Sequence, residues 1–226
     1  MDECWLYPTP SGTSDEAAAA IALVGNTAHL GLFRDAQLKR GETIFVNGGS
    51  GGVGSVVVQM AKIIGARVIT TAGSEEKTAL CRKLGADLAI NYKTQNVDAV
   101  LKEIAPGGVN VWWEVLREPD FDRAISHLAH RGRMVIMAGR EARPSFPVGP
   151  FYVKCCSLHG FVMFLATPEE QRACADDINR WLQQGRLRPS IDRVMPLFET
   201  AAAHRLQEDN TLRKTGTLGG KIVLKP

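Results

Sequence analysis

Eight residues, Asn47-Gly48-Gly49-Ser50-Gly51-Gly52-Val53-Gly54, stand between the apolar run Thr43-Ile44-Phe45-Val46 and a stretch where Val53, Val56, Val57, Met60, Ala61 and Ile64 recur at helical spacing. Glycines in that setting bare the backbone N–H groups of a helix N-terminus, and a pyrophosphate is the anion such a turn cradles. The chemistry on offer is dinucleotide binding. The spacing Gly49-x-Gly51-x-x-Gly54 is common by itself. A second apolar run, Arg67-Val68-Ile69-Thr70-Thr71, follows Gly65, completes a βαβ unit and makes the pattern specific. A glycine-rich turn without a ligand is the competing reading.

The nucleotide is read at the end of the second strand. Folds that take NAD usually carry an acid there, which binds the ribose 2′-hydroxyl. This chain has Thr71-Ala72-Gly73-Ser74-Glu75-Glu76-Lys77. Gly73 removes the repulsion an acid would exert on a 2′-phosphate, Ser74 offers a hydrogen bond, and Lys77 adds a cation one helical turn inside. Together they favour NADPH. Read singly, Ser74 is a helix N-cap and Lys77 a solvated charge, while Glu75 and Glu76 suit a helix N-terminus.

Other chemistries find less support. Tyr152-Val153-Lys154 lacks the Tyr-x-x-x-Lys spacing of short-chain dehydrogenases, and no Walker lysine follows the glycines. His29, His127, His130, His159 and His204 have no metal-ligand spacing and read as helix-surface or core residues, so no metal is expected. The five cysteines (Cys4, Cys81, Cys155, Cys156 and Cys174) are odd in number and lack a C-x-x-C pair, which argues for a reducing cytoplasm over a zinc site or disulfide framework. Adjacent Cys155 and Cys156 admit a redox sensor, but buried small residues of a strand are the favoured reading.

The elements that must position these residues follow from the same periodicities. Thr13-Ser14-Asp15-Glu16 resembles a capping box with Thr13 as N-cap; an alanine-rich helix then meets Gly25-Asn26, and a second helix runs to about Leu38. From Thr43 strands and helices alternate: helix 75–84, strand 88–91, helix 97–104, strand 109–113, helix 121–128 and strand 133–137. Four βα units predict an α/β fold with a doubly wound parallel sheet. A proline-rich loop at 143–150, strand 157–161, a helix from the Thr167 cap to Gly185, strand 191–194, helix 199–207 and strand 221–224 complete the chain. The 226 residues are 45% apolar and 23% charged with a net charge of +3 and no basic run, which lends no support to a nucleic-acid or anionic-membrane partner. No apolar segment is expected to reach the ~20 residues of a membrane helix. Acidic residues at Asp2 and Glu3 stand where a signal peptide is basic, so a cytoplasmic location is expected.

With these residues in view, the chain resembles the medium-chain dehydrogenase/reductase superfamily, in its zinc-free quinone oxidoreductase (zeta-crystallin-like) branch. The matching stretches are Gly25-Asn26-Thr27-Ala28, Asn47 to Gly54, Ala72-Gly73-Ser74-Glu75-Glu76-Lys77, Gly85-Ala86-Asp87, Asn91-Tyr92, Gly132-Arg133 with Gly139, and Gly219-Gly220-Lys221-Ile222-Val223-Leu224. The resemblance implies nicotinamide-side contacts from Thr27 and diphosphate contacts from Gly51, Gly52 and Val53, with Gly49 and Gly54 completing the loop. It implies a 2′-phosphate and adenosine set of Gly73, Ser74, Lys77 and Tyr92. Gly139 and Arg140, then Phe161, Val162 and Met163, would border the nicotinamide ribose and ring, and Lys221 would return to the cofactor cleft. Simple packing is the other reading of Tyr92 and Phe161.

The chain departs from that family at Glu114-Val115-Leu116-Arg117, where many relatives have Asp-x-Val-Gly-Gly, and adjacent Trp112 and Trp113 are bulky for a central strand. Most of the family's N-terminal GroES-like substrate domain has no counterpart here. The expected organisation is therefore a remnant of that domain over 1–24, an NADPH-binding Rossmann domain over 25–186, and a return segment over 187–226. The implied activity is NADPH-dependent hydride transfer to a quinone or activated enone, without a nameable catalytic side chain; the family's habit of pairing through the sheet edge allows a homodimer. The rival is a non-catalytic NADPH-binding fragment that acts as a sensor or assembly partner.

Overall fold

Apolar runs after residue 42, the central ones buried continuously, build one six-stranded parallel sheet in the computed structural model, which describes residues 2–226. Strands β1 (Thr43–Asn47), β2 (Arg67–Ala72), β3 (Leu88–Asn91), β4 (Val109–Glu114), β5 (Leu128–Ile136) and β6 (Ser157–Gly160) lie in the order β3-β2-β1-β4-β5-β6. The order reverses between β1 and β4. In open α/β sheets such a reversal leaves a crevice at the carboxyl ends of the strands, where ligands bind.

Both faces are covered, and the two tryptophans show how. Alternation turns Trp113 to the face shared with Ile44, Val46, α1 (Asp15–His29), α2 (Gly54–Ile63) and α7 (Pro168–Gln183). Trp112 faces the opposite core with Phe45, α4 (Val97–Ile104) and α5 (Phe121–His127). Neither indole needs a partner chain. Trp112 lies 4.2 Å from the Phe45 ring centroid and stacks on His127. The helix α3 (Glu75–Lys83) seats Cys81 in the first core.

Five expectations are corrected. The N-cap of α1 is Ser14, whose hydroxyl accepts the Ala17 N–H at 3.2 Å, and not Thr13. Gly25-Asn26 does not end that helix. A Cβ at Gly25 would sit 2.9 Å from Ile178 Cδ1, so the glycine serves the crossing with α7, and α1 continues into a π-helical turn over Leu30–Asp35. Counted through that turn, the stretch has 21 residues and is apolar enough by composition to cross a membrane; it is also a core helix packed on α2 and α7. The loop at 143–150 holds the start of a short helix, α6 (Val148–Val153), because the Pro147 and Pro150 rings fit a first helical turn. Cys155 is exposed at a φ of 52° after α6, and Cys156 is half-buried ahead of β6, so neither is a buried strand residue.

The last segment forms its own ribbon. β7 (Ile191–Pro196) pairs in parallel with β8 (Lys221–Lys225), joined by α8 (Thr200–Thr211). Val194, Leu197 and Phe198 are exposed there. The Thr167–Glu170 capping box of α7 forms as expected, with Pro168 in its first turn.

A buried polar trio joins α1 to α7. His29 Nε2 lies 2.9 Å from Asp177 Oδ2, and its Nδ1 lies 3.2 Å from Cys174 Sγ. Burial pushes the imidazole below its ordinary value of 6.5 despite the pull of Asp177, and pushes the thiol up to about 12. The unfolded chain therefore binds a proton at this histidine at a pH where the folded chain does not. The stability it contributes is complete above about pH 6.5 and is lost as pH falls below it. Thermal melts from pH 7 down to about pH 5.5 should show a falling Tm, and His29→Gln should flatten that slope. An unchanged slope in the variant would remove His29 as its cause.

Candidate functional site

The glycine loop is shaped by the protein before any ligand is considered. Gly48 turns away from β1 at a φ of 97°. A Cβ at Gly49 would collide with the Thr70 hydroxyl, and one at Gly54 with the Gly48 carbonyl oxygen. Gly51 and Gly52 differ. The nearest atom to a Cβ at Gly51 is 3.5 Å away, and at Gly52 it is the Lys221 Cδ at 3.0 Å. Gly51 leaves room above the backbone, and at Gly52 the flexible Lys221 side chain fills it.

α2 starts with no side-chain cap, and the N–H groups of Gly52, Val53 and Gly54 have no backbone acceptor among the described residues. Free donors at a helix N-terminus, with the dipole behind them, form an anion site. The floor beneath is polar. Glu114, at the end of β4, is 2% exposed and accepts from Asn47 Nδ2, Trp112 Nε1 and the Leu116 N–H. Burial raises its pKa against the pull of those donors. Backbone at Leu116 therefore folds back onto Glu114, a role the sequence did not reveal.

Gly73, Ser74, Lys77 and Tyr92 gather at the ends of β2 and β3. The Ser74 hydroxyl caps α3 by accepting the Lys77 N–H at 3.3 Å. Tyr92 is 56% exposed, and its hydroxyl lies 2.6 Å from where a Cβ of Gly73 would sit. The Lys77 ammonium is not a solvated charge. It donates to the carbonyls of Gly216 at 2.5 Å and Leu218 at 2.8 Å, and burial lowers its pKa. Lys221, at the start of β8, lies over Gly52.

The remaining predicted residues form a second group. Phe161 meets Trp113 edge-on at 6.4 Å and lies under the Arg34 guanidinium at 5.7 Å. The turn that begins at Met163 packs against α1, the helix of Thr27. Thr27 Oγ1 donates to the Leu23 carbonyl at 3.0 Å, and the Met163 carbonyl accepts from Gln171 Nε2 at 3.1 Å. Val162 is exposed. A Cβ at Gly139 would meet the Arg117 carbonyl, which ties the turn containing exposed Arg140 to the segment after β4.

A cavity of about 610 Å³ runs along α4 and α5, lined by Asp98, Lys102, Asp120, Arg123 and His127, and includes none of the residues of the glycine loop. No three His, Cys, Asp or Glu side chains converge as a metal-ligand set among the described residues.

A six-stranded sheet in this order, with an open glycine loop at the reversal of strand order, defines a Rossmann-type dinucleotide fold. The pattern of the zinc-binding dehydrogenase family matches residues 52–179, and the chain belongs to that family, within the medium-chain dehydrogenase/reductase superfamily. It is 30% identical over 220 residues to the quinone oxidoreductase of Homo sapiens, a match that covers 97% of this chain and 65% of that protein. Prostaglandin reductase 1 of Bos taurus is 33% identical over 180 residues, covering 76% of this chain and 54% of its own length. The quinone oxidoreductase of Thermus thermophilus, solved with and without NADPH, superposes with a TM-score of 0.85 at 30% identity, covering 98% of this chain and 70% of that one. The chain thus spans about 65% of the length of the quinone oxidoreductases it matches.

Proposed function

We propose that residues 47–54 bind the diphosphate of NADPH and that the protein transfers hydride to a quinone or an activated enone. The observation that carries this reading is the uncapped N-terminus of α2, with three free N–H donors, beside the ends of β2 and β3, where Gly73, Ser74, Lys77 and Tyr92 gather and position 73 carries no acid. When bound, the coenzyme supplies the hydride from its nicotinamide C4. The chain's own part is to hold and to exclude. Gly52 and Val53 donate their free backbone N–H groups to the diphosphate, which lies against the bare Cα of Gly51, with Lys221 over the loop. Gly49 and Gly54 keep the turn tight.

An ammonium has three N–H groups. Lys77 commits two to carbonyls and keeps the third for a 2′-phosphate, next to the Ser74 and Tyr92 hydroxyls. On this reading Thr27, Gly139, Arg140, Phe161, Val162 and Met163 border the nicotinamide, and Phe161 with Trp113 forms an apolar wall that keeps water from the reacting carbon. Exposed Val194, Leu197 and Phe198 support a role for 187–226, together with 1–24, in packing against a substrate half. A homodimer through the edge of β6 belongs to the same reading.

Loss of reduced-nicotinamide absorbance with benzoquinone, measured on the full-length protein, tests the activity. No turnover would overturn hydride transfer to quinones. Lys77→Ala should weaken NADPH about tenfold or more, the worth of one charge-assisted hydrogen bond, and leave NADH nearly unchanged. Equal losses for both coenzymes would mean that Lys77 acts only through the loop it holds.

A further inference from the structure

Three polar side chains lie at the carboxyl ends of three adjacent strands: Thr71, next to last on β2, and Asn47 and Glu114, the last residues of β1 and β4. Asn47 and Glu114 are register partners across the sheet. Glu114 Oε1 accepts from Leu116 N at 2.9 Å and from Asn47 Nδ2 at 3.0 Å. Its Oε2 accepts from Trp112 Nε1 at 3.1 Å and from the same Asn47 nitrogen at 3.1 Å. All of these partners are donors, and a carboxylate can only accept.

That fixes the rest of the row. With its NH2 turned to Glu114, Asn47 must aim its Oδ1 at Thr71, whose hydroxyl donates to it at 3.0 Å. The hydroxyl proton thus spent, Thr71 Oγ1 keeps lone pairs for the Gly48 N–H, which it accepts at 3.0 Å. The Thr71 carbonyl holds the next N–H, that of Gly49, at 3.1 Å. Every proton along the row points toward Glu114.

We propose that Glu114 is a positioning residue for the dinucleotide loop: its carboxylate sets the direction of a hydrogen-bond relay, from the Gly48 N–H through Thr71 and Asn47, that fixes the first peptide of the loop. The proposal rests on the reading of residues 47–54 as that loop. Glu114→Gln keeps the shape and breaks the direction. Asn47 Nδ2 is nearly equidistant from both carboxylate oxygens, so either orientation of the introduced amide replaces one of its two acceptors with an opposing NH2. Asn47 then turns over, its NH2 donates to the Thr71 oxygen, the hydroxyl proton loses its acceptor, and the Gly48 N–H must share that oxygen with a second donor.

The test is amide hydrogen exchange at Gly48 in the coenzyme-free protein, with NADPH affinity titrated separately by fluorescence. E114Q should speed Gly48 exchange and weaken NADPH, each by about tenfold, as expected for one lost buried hydrogen bond. Adding N47D restores the direction, because a carboxylate at position 47 accepts from both the amide at position 114 and the Thr71 hydroxyl. Protection should then return to within about threefold of wild type. T71V removes the acceptor itself and should match E114Q, with the double variant E114Q/T71V no worse than either alone. Should E114Q fail to fold, T71V carries the test. Unchanged Gly48 exchange in the folded variants, or no rescue by N47D, overturns the proposal. If Gly48 responds as stated while the wild-type protein fails to bind NADPH, the relay stands and the dinucleotide reading falls.

Discussion

Gly54→Ala should abolish measurable NADPH binding and lower Tm, whereas Gly51→Ala should reduce binding alone. A methyl at Gly54 meets the Gly48 carbonyl oxygen, and backbone cannot rotate out of the way as a side chain can. Relief requires the loop to open, at the ~1–3 kcal/mol typical of overpacking. That corresponds to roughly 2–4 °C of Tm per kcal/mol in a chain of this size. Opening also moves the free N–H groups of Gly52 and Val53 off the anion. Two such hydrogen bonds to a charged group, at ~1.5–3 kcal/mol each, are worth about 100-fold or more in affinity.

Gly51 provides the contrast. Its φ is not in the left-handed region, and the nearest atom to its Cβ, 3.5 Å away, is in ordinary contact. Alanine there should leave stability within about 0.5 kcal/mol of wild type. The methyl instead occupies the face on which a diphosphate would lie. Calorimetric melts and fluorescence titration separate the two effects. Wild-type affinity in G51A would move the diphosphate off this loop.

The second large effect is expected at Trp113. The side chain is fully buried, wedged so closely over Gly31 that a Cβ there would lie 2.6 Å from its Cζ3, and it meets Phe161 edge-on. Trp113→Ala should cost ~3–5 kcal/mol, since Gly31 and the sheet cannot close the void. The indole also carries a burden, because its Nε1–H is buried with no partner among the described residues. Such an orphan donor costs ~1–3 kcal/mol. Trp113→Phe discards that donor while it retains most of the apolar contact, and denaturant melts should place it at less than half the cost of alanine. Equal costs would mean that the N–H has an acceptor after all.

How much of this could be read in the residues depends on how far apart the partners lie. The phosphate loop and the strands on either side are local patterns, and the run of β1, α2 and β2 follows the expected limits closely. The α4 helix does too, because Asn96 caps it and Pro106-Gly107-Gly108 ends the run. The first helix departs from expectation where two hydroxyls compete for one cap and where a glycine marks a helix crossing, since both are settled by packing on α7. The sequence offers Lys77 as a phosphate-binding cation or a solvated charge and hides its carbonyl partners, which are 139 and 141 residues away. Thr71, Asn47 and Glu114 leave a fainter mark: each is a polar residue that closes an apolar strand, and they meet only once the strand order is known.

That distance between Lys77 and its carbonyls bears on how the protein is made. Non-local contacts close late, after the entropy of long loops has been overcome. A nascent chain that lacks residues 216–221 already contains all six strands of the large sheet, since β6 ends at Gly160. It still leaves the Lys77 ammonium without its acceptors and Gly52 without Lys221 above it. On the ribosome, then, the strands of the sheet emerge well before the acceptors of Lys77, and on the proposed reading a chain stalled before residue 216 would lack two of the groups that hold the nucleotide.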